Sequence, residues 1–190
     1  MHVIGTVGLP GSGKGEAAKV AREEDIPVVT MGDVIRRACR NRGRDPDTEH
    51  GAVAVELREE DGDDAIAERS LPMIRDRLST ADTVLVDGIR GGVEVDRFQE
   101  AFGDAFVLIE IAAPFGTRVE RIDLRGRDTS ADPERILRER DERERGFGMA
   151  AAMDRADLTV DNDGSLEAFR DRIREVLRDP EGVVTRGGPS

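Results

Sequence analysis

The chain has no Trp and no Tyr, and aromatic residues make up only 3% of it. Cys39 is its single cysteine, which excludes an internal disulfide and a cysteine-built zinc site. His2 and His50 are too few and too far apart to suggest a metal centre. Lysine is nearly absent: Lys14 and Lys19 stand alone, and every other basic side chain is Arg. There is no long apolar run and no basic-then-apolar leader, so the sequence predicts a cytoplasmic protein without a membrane segment. Positive charge is in deficit, with 29 basic against 41 acidic residues and a net charge of -12. That balance argues against nucleic acid or an anionic membrane surface as a partner. Acid excess, scarce lysine and few aromatics together suggest a salt-rich cytoplasm, where solvated carboxylates maintain solubility. A codon bias toward Arg, Ala, Gly and Asp would produce the same loss of lysine. At 190 residues the chain is long enough for one domain with a proper core.

Against this background one stretch stands out, Gly8-Leu9-Pro10-Gly11-Ser12-Gly13-Lys14-Gly15. It follows the apolar run 3–7 and precedes the helix-like run 16–21, the strand–loop–helix context of a phosphate-binding loop. Gly8, Gly13 and Lys14 keep the G-x-x-x-x-G-K register. Glycine permits backbone conformations in which successive N–H groups point at one anion, and the helix start adds its unpaired N–H groups. Lys14 supplies a mobile positive charge for the outer phosphates. Gly15 and Glu16 follow where a hydroxyl residue is usual, so the Glu16 N–H can face the phosphates while its carboxylate is expected to turn outward.

The remaining pattern predicts an α/β fold with a five-stranded parallel sheet flanked by helices. Strands are expected at 2–7, 26–30, 83–87, 106–111 and 158–160, with helices between them. The third strand ends in Asp87, a Walker-B-like position whose carboxylate can hold magnesium directly or through water. Residues 134–145 alternate Arg with acids and read as a surface of helix ion pairs. Residues 179–190 read as a flexible tail after a domain spanning 1–178.

Several segments resemble nucleotide kinases of the P-loop NTPase group: GLPGSGKG at 8–15, TMGDVIR at 30–36, VLVDGIR at 84–90 and RIDLRGRD at 121–128 resemble adenylate kinases, and ADLTVDNDGSLEAF at 156–169 resembles dephospho-CoA kinases. Taken together the chain looks most like an archaeal family of adenylate-kinase-like, dephospho-CoA-kinase-related P-loop proteins. The resemblance implies a small acceptor-binding insert at about 41–80 and a lid at about 121–140. It places Arg36, Arg90 and Glu94 at the acceptor, Met31 where a Thr contacts it, and Arg121 over the donor base. Lys14, Arg125 and Arg127 then carry the transfer, with Arg138 as a further phosphate contact. Glu94 replaces an amide that reads adenine; a carboxylate cannot offer an amide's paired donor and acceptor, which weighs against AMP.

These readings lead to one expectation: a Mg2+- and ATP-dependent kinase that phosphorylates a nucleotide or nucleotide-like small molecule. Residues Gly8, Leu9, Pro10, Gly11, Ser12, Gly13, Lys14, Gly15 and Glu16 would hold the donor. A hydroxyl acceptor would need a carboxylate such as Asp33 for its proton, although Asp33 also reads as a helix cap. The alternative is an ATP-hydrolysing regulatory switch with water as its acceptor.

Overall fold

The computed structural model describes residues 1–123, 132–146 and 148–187. The strands are β1 (His2–Val7), β2 (Val28–Thr30), β3 (Thr83–Asp87), β4 (Phe106–Ala112) and β5 (Leu158–Asp161). The helices are α1 (Lys14–Glu23), α2 (Met31–Asn41), α3 (Pro46–Asp61), α4 (Ala65–Leu78), α5 (Gly92–Phe102), α6 (Phe115–Asp123), α7 (Pro133–Gly146), α8 (Met149–Met153), α9 (Leu166–Arg178) and α10 (Pro180–Gly187). All strand pairings are parallel, in the order β2-β3-β1-β4-β5.

The central strands β1, β3 and β4 are buried on both faces because they are largely apolar, whereas Thr159 and Asp161 of the edge strand β5 are exposed. Side chains alternate between two clusters. Val3, Val7, Val84, Val86, Phe106 and Leu108 pack with α2 to α5, while Ile4, Leu85, Val107, Ile109 and Ile111 pack with α1, α9 and α10. Gly5 lies on the first face, where an added Cβ would stand 2.7 Å from Ile89 and 2.9 Å from Phe106; only hydrogen fits between these side chains. Residues 41–80 form α3 and α4, whose Val53, Leu57, Ile66, Leu71 and Ile74 complete the same cluster.

Two local readings change. Residues 180–187 are not tail but helix α10: Val183 is fully buried against the α1/α9 cluster, and apolar burial holds a segment whose Gly and Pro content reads as frayed. Asp33 is not the cap of α2. Thr30 occupies that position, and Asp33 sits in the first helical turn.

β1 is the central strand, and its carboxyl end opens between those of β3 and β4. In open parallel sheets this edge is where ligands bind. The 8–15 loop leaves β1 there, and Asp87 ends β3 beside it, in register with Thr6.

Candidate functional site

The loop between β1 and α1 has the geometry that its glycines permit. Gly8, Gly11 and Gly13 have φ of 143°, 81° and 120°, conformations strained for any residue with a Cβ. Side chains also have no room: Gly11 lies against the backbone of Arg118, and Gly13 against Asn162 and Phe169. Ser12 is 1% exposed, and its Oγ has no hydrogen-bond partner among the described residues. A buried hydroxyl without a partner, in the wall of the loop cavity, is a group that a phosphate oxygen would satisfy. Lys14 donates to the loop's own carbonyls, Gly8 O and, at 3.3 Å, Leu9 O. Burial pushes its ammonium below the usual lysine range, with Asp87 and Glu144 pulling the other way and Arg90 and Arg118 reinforcing the drop.

This loop, Asp87, Arg90, Glu144 and Met149 line a cavity of about 320 Å³. Asp87 Oδ1 accepts from Thr6 Oγ1 at 3.1 Å, which fixes the carboxylate at the end of β3. No cluster of three or more His, Cys, Asp and Glu side chains gathers as a metal site among the described residues. A divalent ion would therefore rest on Asp87 and on oxygens of the bound phosphates, the ligand set that suits magnesium. Glu16 turns from the loop toward α9, with its Oε1 3.5 Å from Arg170 Nε.

Three residues outside the motif brace the loop through its carbonyls. Asn162, in the turn after β5, donates from Nδ2 to Ser12 O at 2.7 Å. Arg121 donates to Asn162 O and Oδ1, both at 3.0 Å, and to Ser12 O at 3.4 Å. Arg118 donates to Pro10 O at 3.0 Å and makes a two-pronged bond to Asp141, 2.8 Å on each arm. Both partners are buried, at 4% and 5% exposure. They tie α6 and α7 to the phosphate loop.

A second cavity, of about 200 Å³, adjoins the first through Gly88 and Arg90. Its walls come from Met31, Ile35, Ala54, Val55 and Ile66, and its polar groups are His50, Arg58, Arg90 and Glu94. Glu94 is 3% exposed. Its Oε2 accepts from the Arg90 N–H at 2.8 Å, and its Oε1 lies 3.4 Å from Arg58 Nη2. Burial raises the Glu94 carboxyl above the usual range, opposed by the Arg90 N–H and Arg58.

The predicted residues are thus unevenly placed. Pro10 to Gly15, Asp87, Arg90 and Glu94 meet at two adjoining cavities, and Gly8 and Leu9 contribute carbonyls that hold Lys14. Arg36 is turned onto Asp33, donating from Nη2 at 2.6 Å and Nε at 3.1 Å. Asp33 also accepts from the Thr30 hydroxyl; burial opposes its charge, but Thr30 and Arg36 prevail and hold it below the usual carboxylate range. Arg138 is stacked on Phe115, 4.5 Å from the ring centroid, and faces Glu134 at 3.7 Å rather than the phosphate cavity. Arg125 and Arg127 lie outside the described residues. Asn162, Arg118, Asp141 and Glu144 were not singled out from the sequence. Leu137, Asp141 and Glu144 do recur at i, i+4 and i+7, the one signal that could have marked them as an inward stripe of α7.

The AAA domain family matches residues 7–138. A UPF0200 protein of Halobacterium salinarum is 55% identical over 179 residues, 93% of each chain. Among solved structures, TT1252 from Thermus thermophilus aligns with a TM-score of 0.64 at 20% identity, over 94% of this chain and 97% of that one. Shikimate kinase from Acinetobacter baumannii, in complex with shikimate, aligns with a TM-score of 0.53 at 16% identity, over 100% and 96% of the two chains. These two likenesses concern the fold.

Proposed function

Because the chain belongs to the archaeal UPF0200 family and carries an AAA-type P-loop domain, we propose that it is a Mg2+-dependent kinase that transfers the γ-phosphoryl group of ATP to a small-molecule acceptor. The observation that carries this reading is the pair of adjoining cavities, one lined by the phosphate loop and Asp87, the other by Arg58 and Glu94, which share Gly88 and Arg90. The Ser12 and Glu16 N–H groups already donate to Leu9 O and Gly13 O, so the backbone N–H groups of Gly11, Gly13, Lys14 and Gly15, with the Ser12 hydroxyl and the Lys14 ammonium, hold the donor phosphates. Asp87 holds the magnesium ion or its waters. A magnesium ion held there would supply positive charge to offset the negative charge that develops in the transfer. Arg90 faces the place where donor and acceptor meet, and its guanidinium suits charge spread over several oxygens. The second cavity takes the acceptor, with Arg58 and Glu94 as its polar contacts.

One observation favours a second reading, an ATP-hydrolysing switch. Arg36 and Arg90 are both already paired with carboxylates, Asp33 and Glu144, so neither waits for an acceptor phosphate. The acidic composition and the Halobacterium relative favour a protein that works in high salt. The discriminating experiment is ADP release from Mg-ATP in molar potassium chloride, with a panel of nucleoside monophosphates and dephospho-CoA. Release that rises with one acceptor and yields a phosphorylated product is the outcome expected of the kinase. Slow release indifferent to every acceptor would replace it with the switch. Absence of nucleotide binding by folded protein would overturn both.

A further inference from the structure

One carboxylate of the phosphate cavity enters the readings above only as the partner of Arg90. Glu144 reaches the cavity from α7, whose outer face carries the Arg135–Glu139 pair at 2.5 Å. Its neighbours on the inner face, Leu137 and Asp141, are buried, and the Glu144 side chain is itself only 17% exposed. Arg90 Nη1 donates to Glu144 Oε1 at 2.9 Å and fixes its direction. Lys14 feels the Glu144 charge as it feels that of Asp87. Among the described residues these two carboxylates alone line the phosphate cavity.

Their surroundings separate them. Asp87 is fixed to the Thr6 hydroxyl at a strand end, where a metal ion is expected. Glu144 lines the phosphate cavity beside Arg90, which with Gly88 is common to both cavities, and so stands near the junction of donor and acceptor. A carboxylate at that junction repels an incoming phosphate dianion but can accept a hydrogen bond from a hydroxyl. Asp33, the other candidate for such a role, is committed to Thr30 and Arg36.

We propose that Glu144 is a catalytic carboxylate that accepts the proton of an attacking hydroxyl, from an alcohol-bearing acceptor or from water, with Arg90 holding it in place. The inference rests on the reading that the neighbouring loop binds ATP. In the step, the hydroxyl oxygen bonds to the γ-phosphorus and the bond from that phosphorus to the β–γ bridging oxygen breaks. The bridging oxygen leaves with ADP, and the hydroxyl proton passes to a Glu144 oxygen. The substrate class is then a hydroxyl compound rather than a terminal phosphate.

The test compares wild type, Glu144→Gln and Glu144→Asp. ATP affinity is measured by calorimetry, and ADP release from Mg-ATP is measured alone, with nucleosides and with nucleoside monophosphates. The Gln variant is expected to bind ATP within about threefold of wild type while kcat with water or nucleosides falls roughly 10²- to 10⁴-fold, the usual contribution of a general base. The Asp variant keeps the carboxylate and should retain part of the rate. Stimulation by nucleosides identifies an alcohol acceptor, and its absence with the same loss of hydrolysis identifies water. Unchanged or faster turnover by Glu144→Gln, above all with monophosphates, would overturn the proposal and leave ATP binding standing. Failure of wild type to bind ATP would overturn the underlying reading and this proposal with it.

Discussion

Replacing Asp141 with Leu should destabilise the protein by about 3 kcal/mol, the low end of the ~3–5 kcal/mol typical when one member of a buried ion pair is removed. The low end applies because Arg118 would not be left bare. Its Nη1 still reaches Pro10 O at 3.0 Å and its Nε reaches Ala113 O at 3.2 Å. What it loses is the two-pronged carboxylate, with both arms at 2.8 Å in a site where the two side chains are 5% and 8% exposed. In a chain of this length each kcal/mol moves the melting temperature by roughly 2–4 °C, so a fall of about 6–12 °C is expected. The double variant Arg118→Met, Asp141→Leu removes the stranded charge and should lie closer to wild type than Asp141→Leu alone. Thermal melts and urea midpoints at fixed potassium chloride check both, with an unchanged urea slope showing that stability and not the unfolded state has moved. The Asp141→Leu loss should persist in molar salt, because buried pairs are poorly screened, whereas loss of the surface Arg135–Glu139 pair should cost under about 1 kcal/mol and fade with salt. A loss below about 1 kcal/mol for Asp141→Leu, or a double variant that simply sums the two single losses, would refute the argument that these residues act as one unit.

Lys14→Met should weaken ATP binding by roughly 10- to 100-fold, the worth of one charge-assisted bond set, without lowering the stability of the nucleotide-free protein, since burial of the ammonium is already unfavourable; calorimetry and melts separate the two effects. Glu94→Gln should stabilise the protein at neutral pH. Burial raises the folded-state Glu94 carboxyl above its ordinary value near 4.5, so its favourable contribution is complete below that value and is lost as pH rises; melts from pH ~4 to 7 should therefore show a gap between variant and wild type that opens upward in pH. Ending the chain at residue 178 should cost at least about 1.5–3 kcal/mol through loss of the fully buried Val183, and a melt indistinguishable from the full chain would show that α10 contributes nothing.

The parts of this molecule that can be read from sequence are those whose chemistry is contiguous. The phosphate loop is eight residues in a row, and its conformational demands fall on glycines that announce themselves. Strand β3 and Asp87 are legible for the same reason: an apolar run followed by one acid. Boundaries drift where a neighbour decides them, as at α10, where Val183 and its cluster outweigh the local Gly and Pro. The supports of the loop are harder to read. Asn162 meets Ser12 across 150 positions of chain, and Arg118 meets Pro10 across 108, so no local pattern encodes either contact.

Helix α7 shows why charge hides function here. In 134–145 nearly every position is Arg, Asp or Glu, and the alternation supports an exposed helix of i,i+4 pairs. That is true of its outer face. Its inner face follows the helical period, and the buried Leu137 marks which way it points. Asp141 and Glu144, one and two turns on, must therefore enter the protein as charges, and charges that enter need partners. Each has found an arginine of the site: Arg118 beneath the loop for Asp141, Arg90 at the junction of the cavities for Glu144. The first pair joins two buried groups and fixes the helix to the loop. The second leaves Arg90 half exposed and Glu144 able to exchange its partner for a substrate. One turn of helix thus separates a carboxylate that holds the site together from one positioned to act in it, and the difference lies in what surrounds them rather than in the residue type.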